Sequence, residues 1–491
     1  MLKVDSQPGG ARRVAACILF VLSLGLMAGP GCASYTEELR EAQLSIVSGN
    51  TEFALRSINE RLGVDTIHDI PDDLDNNATL LLLERATLLQ SIGSFELAAR
   101  DMMIVDQRLD WLDLTSTNAG ELARYMYSDD ATKYRAPAYE RLLLNTLNMI
   151  NFLARYDLEG ARVEARRFTI MESFYIDEQG RALMPGLLAL GNYLAGASFE
   201  ASRDYDEAAR YYTRAWHFGL KDEDLRVRLR DLYRVSGYSG KEIEDRSLDA
   251  IRKSAQEDGP LTFDAYFERH RRGDTLIIAQ FGLVPYKKAI RVSGNRAMTI
   301  ANGTRYNSMS GATRTQVNTM ILSGALTHVN FPELSSDGLP HRTSTSAKIS
   351  VDGRPLTLYQ GMDVTRSVQT AWLDIAGTLM VAALTRAITR ATIGAGGRAV
   401  GEAAIQSNDD KAAAAGVLGW LVATGAEVAL EAADTPDTRS WTTLPAQIRI
   451  SRTQLSHGLH SAQISLGANY DKQTVPIWED RLNIINFSRI R

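Results

Sequence analysis

The sequence predicts an α+β protein: a helical array, then a small antiparallel β-sandwich-like domain carrying an inserted Ala/Gly-rich helical hairpin. Three observations predict it. From Ser34 to about Gly240 the apolar residues recur at helical spacing. After Gly240, β-branched residues alternate with polar ones in short runs, and Asp352-Gly353 stands between two of these runs as a hairpin turn. Among the strands lie two Ala/Gly-rich stretches, Val368–Gly397 and Lys411–Asp434, which read as helices joined by a polar loop. The organisation that follows is a signal segment at 1–31, a helical domain at 32–240, a linker or lone helix at 241–272 and a β-rich domain at 273–491. The hairpin is inserted in that last domain at 368–434.

Lys3, Arg12 and Arg13 precede the apolar run Val14–Gly29, and a basic head before an apolar middle is a secretory signal. The run is shorter than the ~20 residues of a bilayer span. It stops at Gly29-Pro30-Gly31-Cys32, where proline and glycine end any helix. A cysteine at such a stop resembles the lipobox of bacterial lipoproteins, in which the thiol is diacylglycerated and becomes the first residue. Gly31 fits that pattern, whereas Gly29 and Pro30 depart from it. A plain secretory signal and an uncleaved anchor are the alternatives. Ala33 in place of Asp after the cysteine is similar to outer-membrane sorting signals, which implies lipid anchorage through Cys32 on the periplasmic face.

Cys17 and Cys32 are the only cysteines. The chain beyond them therefore has no disulfide framework, thiolate nucleophile or cysteine zinc site. The net charge of -5 argues against a nucleic-acid partner.

The helical stretch contains three units with one grammar: a long apolar helix, a turn, then small and large residues at helical spacing. Thr79–Leu109 splits at Gly93, Tyr139–Phe168 around Tyr156-Asp157, and Leu187–Leu220 near Asp204. In the last unit Gly196, Phe199, Ala208, Tyr212 and Ala215 match the tetratricopeptide pattern, where small residues admit aromatics from the paired helix. An irregular helical bundle is the plainer alternative. In the β-rich part, strands are expected in Asp274–Gly294, Ser346–Gly361, Ala446–Asn469 and the C-terminal "RLNIINFSRIR". The hairpin has two readings, a membrane-dipping element or a buried pair packed on the protein. Asp374, Arg386 and Arg390 favour the buried pair, because intramembrane charge is expensive.

Four phrases, Tyr139–Asn145 (YERLLLN), Gly160–Arg167 (GARVEARR), Gly282–Val292 (GLVPYKKAIRV) and Asp437–Arg452 (DTRSWTTLPAQIRISR), occur in this order. Together they resemble an uncharacterised family of bacterial envelope lipoproteins with an N-terminal tetratricopeptide-like region. The resemblance implies an envelope location and a genomic setting beside lipoproteins similar to activators of peptidoglycan synthases. From the residues themselves, Asp437 and Arg439 are placed to pair, Trp441 to bury, and Leu444-Pro445 to set the entry to a strand. Glu164, Arg166 and Arg167 are candidates for an ion network or a partner-binding surface.

No Gly-x-Ser-x-Gly elbow, Walker loop or His-Glu-x-x-His occurs in the sequence. The glycine cluster Ala391–Gly401 is expected to end a helix, whereas a phosphate cradle follows a strand. His457 and His460 have no further ligand at metal-like spacing. The sequence thus predicts no cofactor, no metal and no enzyme. It predicts a lipid-anchored scaffold with a periplasmic protein partner; a small-ligand or glycan-binding protein, or a hydrolase with its pocket between the two halves, is the alternative.

Overall fold

The computed structural model describes Tyr35 and residues 39–74, 77–108, 110–112, 134–173, 176, 184–302, 309–323, 326–337, 339, 347–405, 436–466 and 469–489. The signal segment with Cys32 and the second hairpin helix at 411–434 lie outside the described residues. The protein is α+β. In chain order the first elements are α1 (Arg40–Ser48), α2 (Thr51–Leu62), α3 (Ala78–Ser91), α4 (Phe95–Arg108), β1 (Asp110–Leu112) and β2 (Arg135–Pro137). Next come α5 (Ala138–Ala154), α6 (Leu158–Glu172), α7 (Pro185–Ala201), α8 (Tyr205–His217), α9 (Glu223–Ser236), α10 (Arg246–Asp258) and the short α11 (Phe263–Tyr266).

The helix breaks fall where the sequence marks them. Gly93, at a φ of +81°, occupies the left-handed conformation that closes α3 and turns the chain into α4. Asp157, Asp204 and Asp222 each cap the following helix by accepting a backbone N–H, from Gly160, Glu207 and Leu225. Burial divides the helices into two sets. Every residue from Thr79 to Gln90 of α3 and from Leu187 to Ala201 of α7 is buried. By contrast α4, α6 and α8 each expose one face. The first set forms an inner layer, covered by outer helices on one side and by a sheet on the other.

Close approach within a pair depends on glycine. A Cβ on Gly196 would lie 2.6 Å from the Tyr212 ring of the paired helix, too near for any real contact. Gly196→Ala is therefore expected to cost about 1–3 kcal/mol of stability, read as a lowered denaturant midpoint. An unchanged midpoint would show that α7 and α8 have room to spare.

The remaining elements are β3 (Asp274–Leu283), β4 (Tyr286–Ser293), α12 (Gly294–Asn302), α13 (Gly311–Leu322), β5 (His328–Ser335), β6 (Lys348–Val351), β7 (Arg354–Leu356) and β8 (Tyr359–Asp363). They end with α14 (Val364–Ile405), β9 (Pro445–Gln454), β10 (Gly458–Leu466), β11 (Asn469–Ile477) and β12 (Asn483–Arg489). One sheet has the order β12-β3-β9-β8 and a second the order β11-β10-β6-β7; β4 and β5 form a separate ribbon. Asp352 and Gly353, both at positive φ, make the turn between β6 and β7.

Strand β3 is buried on both faces, which explains its near-continuous apolar sequence. Leu276 and Ile278 join the helical core. Ile277, Ala279 and Phe281 face the other way and share an apolar layer with Ile349, Val351, Ala462 and Ile464 of the second sheet. The expectation of purely antiparallel strands needs correction, because β12 runs parallel to β3. The chain leaves β11 in one sheet and crosses to the other, so it enters β12 in the direction of β3.

Two helical features depend on packing, and the second is a correction. The stretch containing α12 and α13 is rich in Thr and Asn, poor helix formers, and gives little local signal. Packing of Ala297, Ala301 and Val317 against the β4–β5 ribbon and against Trp372, Leu379 and Met380 of α14 overrides that weakness. The glycine cluster at 394–401 does not end a helix; α14 continues through it to Ile405. Its backbone N–H groups inside the helix are thus committed to helical bonds and cannot cradle a phosphate. No single helix among the described residues is long and apolar enough to cross a membrane. The arms Val364–Leu373 and Ile375–Ile388 of α14 reach that composition only as a pair bent by 40°.

Candidate functional site

The residues that carry chemistry converge where the inner helices meet the β half. Residues 436–444 form no strand or helix, so their backbone groups need other partners. Glu84 of α3 provides them. One carboxylate oxygen accepts the Thr442 N–H at 2.8 Å and the Thr442 hydroxyl at 2.9 Å; the other accepts the Thr443 N–H at 2.8 Å. One turn along the same helix, the Thr87 hydroxyl accepts the indole N–H of the fully buried Trp441 at 2.9 Å. Burial raises the Glu84 pKa above the usual carboxylate value, and the threonine hydrogen bonds oppose that rise.

Glu140, in the first turn of α5, continues the contact. It accepts the Trp441 N–H at 3.3 Å and the Tyr134 hydroxyl at 2.7 Å. Asp437 and Arg439 pair bidentately, at 2.9 and 2.8 Å, and the guanidinium lies over the Tyr134 ring. Buried Lys287 of β4 donates to the Arg439 carbonyl at 2.9 Å. Burial lowers its pKa, against the pull of Asp437 and Glu140.

Burial pushes Glu140 up to about 7, against the Tyr134 hydrogen bond, the Lys287 charge and the Trp441 N–H. Between its ordinary value of 4.5 and about 7 the folded chain holds a proton that the unfolded chain has released. Stability is therefore lost as pH rises through that window. Glu140→Gln keeps the site neutral at every pH and is expected to stabilise the protein by about 2–3 kcal/mol at pH 8. The gain should vanish near pH 4.5. Melting temperatures of both proteins at the two pH values test this, and a gain independent of pH would contradict it.

A second buried cluster lies further along the interface. Arg452 of β9 binds Glu200 of α7 at 2.9 Å and Asp274 of β3 at 2.6 Å. Arg228 of α9 binds Glu200 at 2.6 Å, and the Tyr212 and Tyr266 hydroxyls donate to the same carboxylate at 2.8 and 2.6 Å. Arg271 reaches Asp274 at 3.3 Å. Burial alone would raise the Glu200 pKa; the guanidiniums of Arg228, Arg452 and Arg271 outweigh it and hold the carboxyl well below the usual range.

The sequence-predicted residues divide among these environments. Asp437, Arg439 and Trp441 come together at the interface. Glu164 is buried on α6 and pairs with Arg167 at 3.1 Å, and Arg167 also reaches Asp106. Arg166 does not join them; it is exposed and lies over the Phe199 ring. Cys32 lies outside the described residues. Sequence reasoning missed Glu84, Glu140, Lys287, Glu200 and Arg452; for Glu84 the signal is a charge set inside the apolar run "LLLLERATLL". His460 acquires a carboxylate neighbour in Asp352, at 2.6 Å across the strands. Among the described residues, no group of three or more His, Cys, Asp or Glu side chains is placed to hold a metal ion.

A cleft of about 300 Å³ also opens between the halves, lined by Met184, Ala189, Phe218 and Leu220 on the helical side and by Met362 and Arg366 on the other. Compared with protein-family models and with curated proteins, the chain matches none.

Proposed function

We propose that this is a non-enzymatic envelope lipoprotein, anchored through Cys32 on the periplasmic face of the outer membrane and serving as a protein-interaction scaffold in cell-wall or envelope assembly. We read its helical hairpins as a tetratricopeptide-like array and its two facing sheets as a β-sandwich. The Gly196–Tyr212 approach and the apolar layer shared by the sheets support that reading.

The observation that carries the proposal is the use made of the inner helical face. In a stacked array this face commonly binds a peptide, and here the chain's own residues 440–443 lie against it, held by Glu84 and Glu140. A partner is then met by the outer face. On α6, Val163, Arg166 and Ile170 recur at i, i+3 and i+7 and are all exposed.

Two measurements test the proposal. A radioactive fatty acid is expected to label the wild-type chain and not Cys32→Ala. An envelope protein retained by the mature chain is expected to be lost with Ile170→Asp. Label on Cys32→Ala would contradict the anchor, and retention of muropeptide or sugar alone would contradict the scaffold.

The cleft favours a second reading, a periplasmic small-ligand or glycan-binding protein or a hydrolase. Ligand retention abolished by a bulky replacement at the exposed cleft residue Arg366, such as Arg366→Trp, would favour it.

A further inference from the structure

An anchor at Cys32 would leave the protein almost no tether. Tyr35 is already buried in the helical core, and its carbonyl accepts the Leu39 N–H at 3.1 Å. The folded body thus begins three residues after the acylated position. Three extended residues reach at most about 11 Å. The headgroup layer on one side of a bilayer already takes up about 5–8 Å.

We infer that the α1–α2 end of the protein lies flush against the phospholipid surface, with Leu44 and Phe53 as the side chains that enter the headgroup layer. This rests on the Cys32 anchor proposed above. Leu44 projects from α1 and Phe53 from α2, each on the side away from the core formed by Ala42, Ile46, Ala54 and Ile58, and they are 54% and 42% exposed. Within α1 and α2 the charges balance, Arg40, Arg56 and Arg61 against Glu41, Glu52 and Glu60, but Glu37 and Glu38 precede them and leave this end net negative. Contact with the lipid therefore rests on the short tether and the apolar side chains, not on charge. Apolar side chains held at an interface by acyl chains add their own burial to the binding. A short tether therefore fixes orientation as well as location. With the α1 end on the lipid, the body is presented to the periplasm in one attitude.

The chain beyond Cys32 has no cysteine, and an acylated Cys32 has no free thiol. Single cysteines at Leu44, Phe53 and, as a control, Leu459 therefore report cleanly; Leu459 is 75% exposed on the second sheet. Each acylated variant is placed in phosphatidylethanolamine–phosphatidylglycerol vesicles, and its reaction with a membrane-impermeant maleimide is timed. The reference is the same variant expressed without residues 1–32, free in solution and with no other cysteine. Leu44→Cys and Phe53→Cys are expected to slow by at least about fivefold and Leu459→Cys to be unaffected. A flexible Gly/Ser linker of about 20 residues after Ser34, worth about 25 Å of reach, should restore the two rates. No slowing of Leu44→Cys or Phe53→Cys relative to its own reference, in a chain whose acylation is confirmed by mass, would overturn the orientation and leave the anchor standing. Absence of an acyl group on Cys32 would overturn the anchor, and the orientation with it.

Discussion

Glu200→Ala is expected to lower the free energy of unfolding by about 3–5 kcal/mol, the cost of breaking a buried ion pair from one side. The reason is a count of charges. Glu200 and Asp274 face Arg228, Arg271 and Arg452, and each of these side chains is at most 2% exposed. Removing Glu200 leaves three guanidiniums with one buried carboxylate. Arg228 keeps Asp224, a carboxylate about a third exposed, and the His270 carbonyl. Removing Glu200 also leaves the Tyr212 and Tyr266 hydroxyls without their acceptor. Urea unfolding followed by circular dichroism measures the loss. The double variant Glu200→Ala with Arg452→Met should be less damaged than the sum of the two single variants, because they share one interaction. A loss below about 1 kcal/mol for Glu200→Ala would mean that the cluster contributes little net stability.

Trp441→Ala is the second large effect, expected at about 3–5 kcal/mol. The indole is fully buried and donates to the Thr87 hydroxyl, so truncation leaves a cavity and removes that hydrogen bond as well. The damage falls where the two halves meet and should be visible locally. Limited proteolysis is expected to cut within residues 436–444 at a protease level that leaves the wild type intact. Cleavage elsewhere first would show that Trp441 does not hold this segment down.

Much of this architecture is legible in the residues, and the misses have identifiable causes. The breaks at Gly93, Asp157 and Asp204 are local, since a left-handed glycine or a capping aspartate acts on its own turn. The turn at Asp352-Gly353 is local in the same way. Burial of Trp441 and pairing of Asp437 with Arg439 follow from spacing alone. Glu84 is different, for its partners Thr442 and Thr443 lie more than three hundred residues away. Sequence can show only that a charge sits among leucines. Helices α12 and α13 were hidden because packing on Trp372 and Met380, not propensity, makes them. The glycines of α14 misled for the same reason, as the helix runs through residues that would end an isolated one. The direction of β12 depends on a crossing between sheets, which strand alternation does not encode.

Residues 440–443 lie against the inner helices and join both halves into one unit. Hydrogen exchange of the Trp441, Thr442 and Thr443 amides measures this directly, because the segment has no strand or helix to protect it. If buried Glu84 and Glu140 hold these amides, they will exchange only with global unfolding, as slowly as the amides of β3. Exchange at the rate of an open loop, in a protein whose β3 stays protected, would contradict the claim.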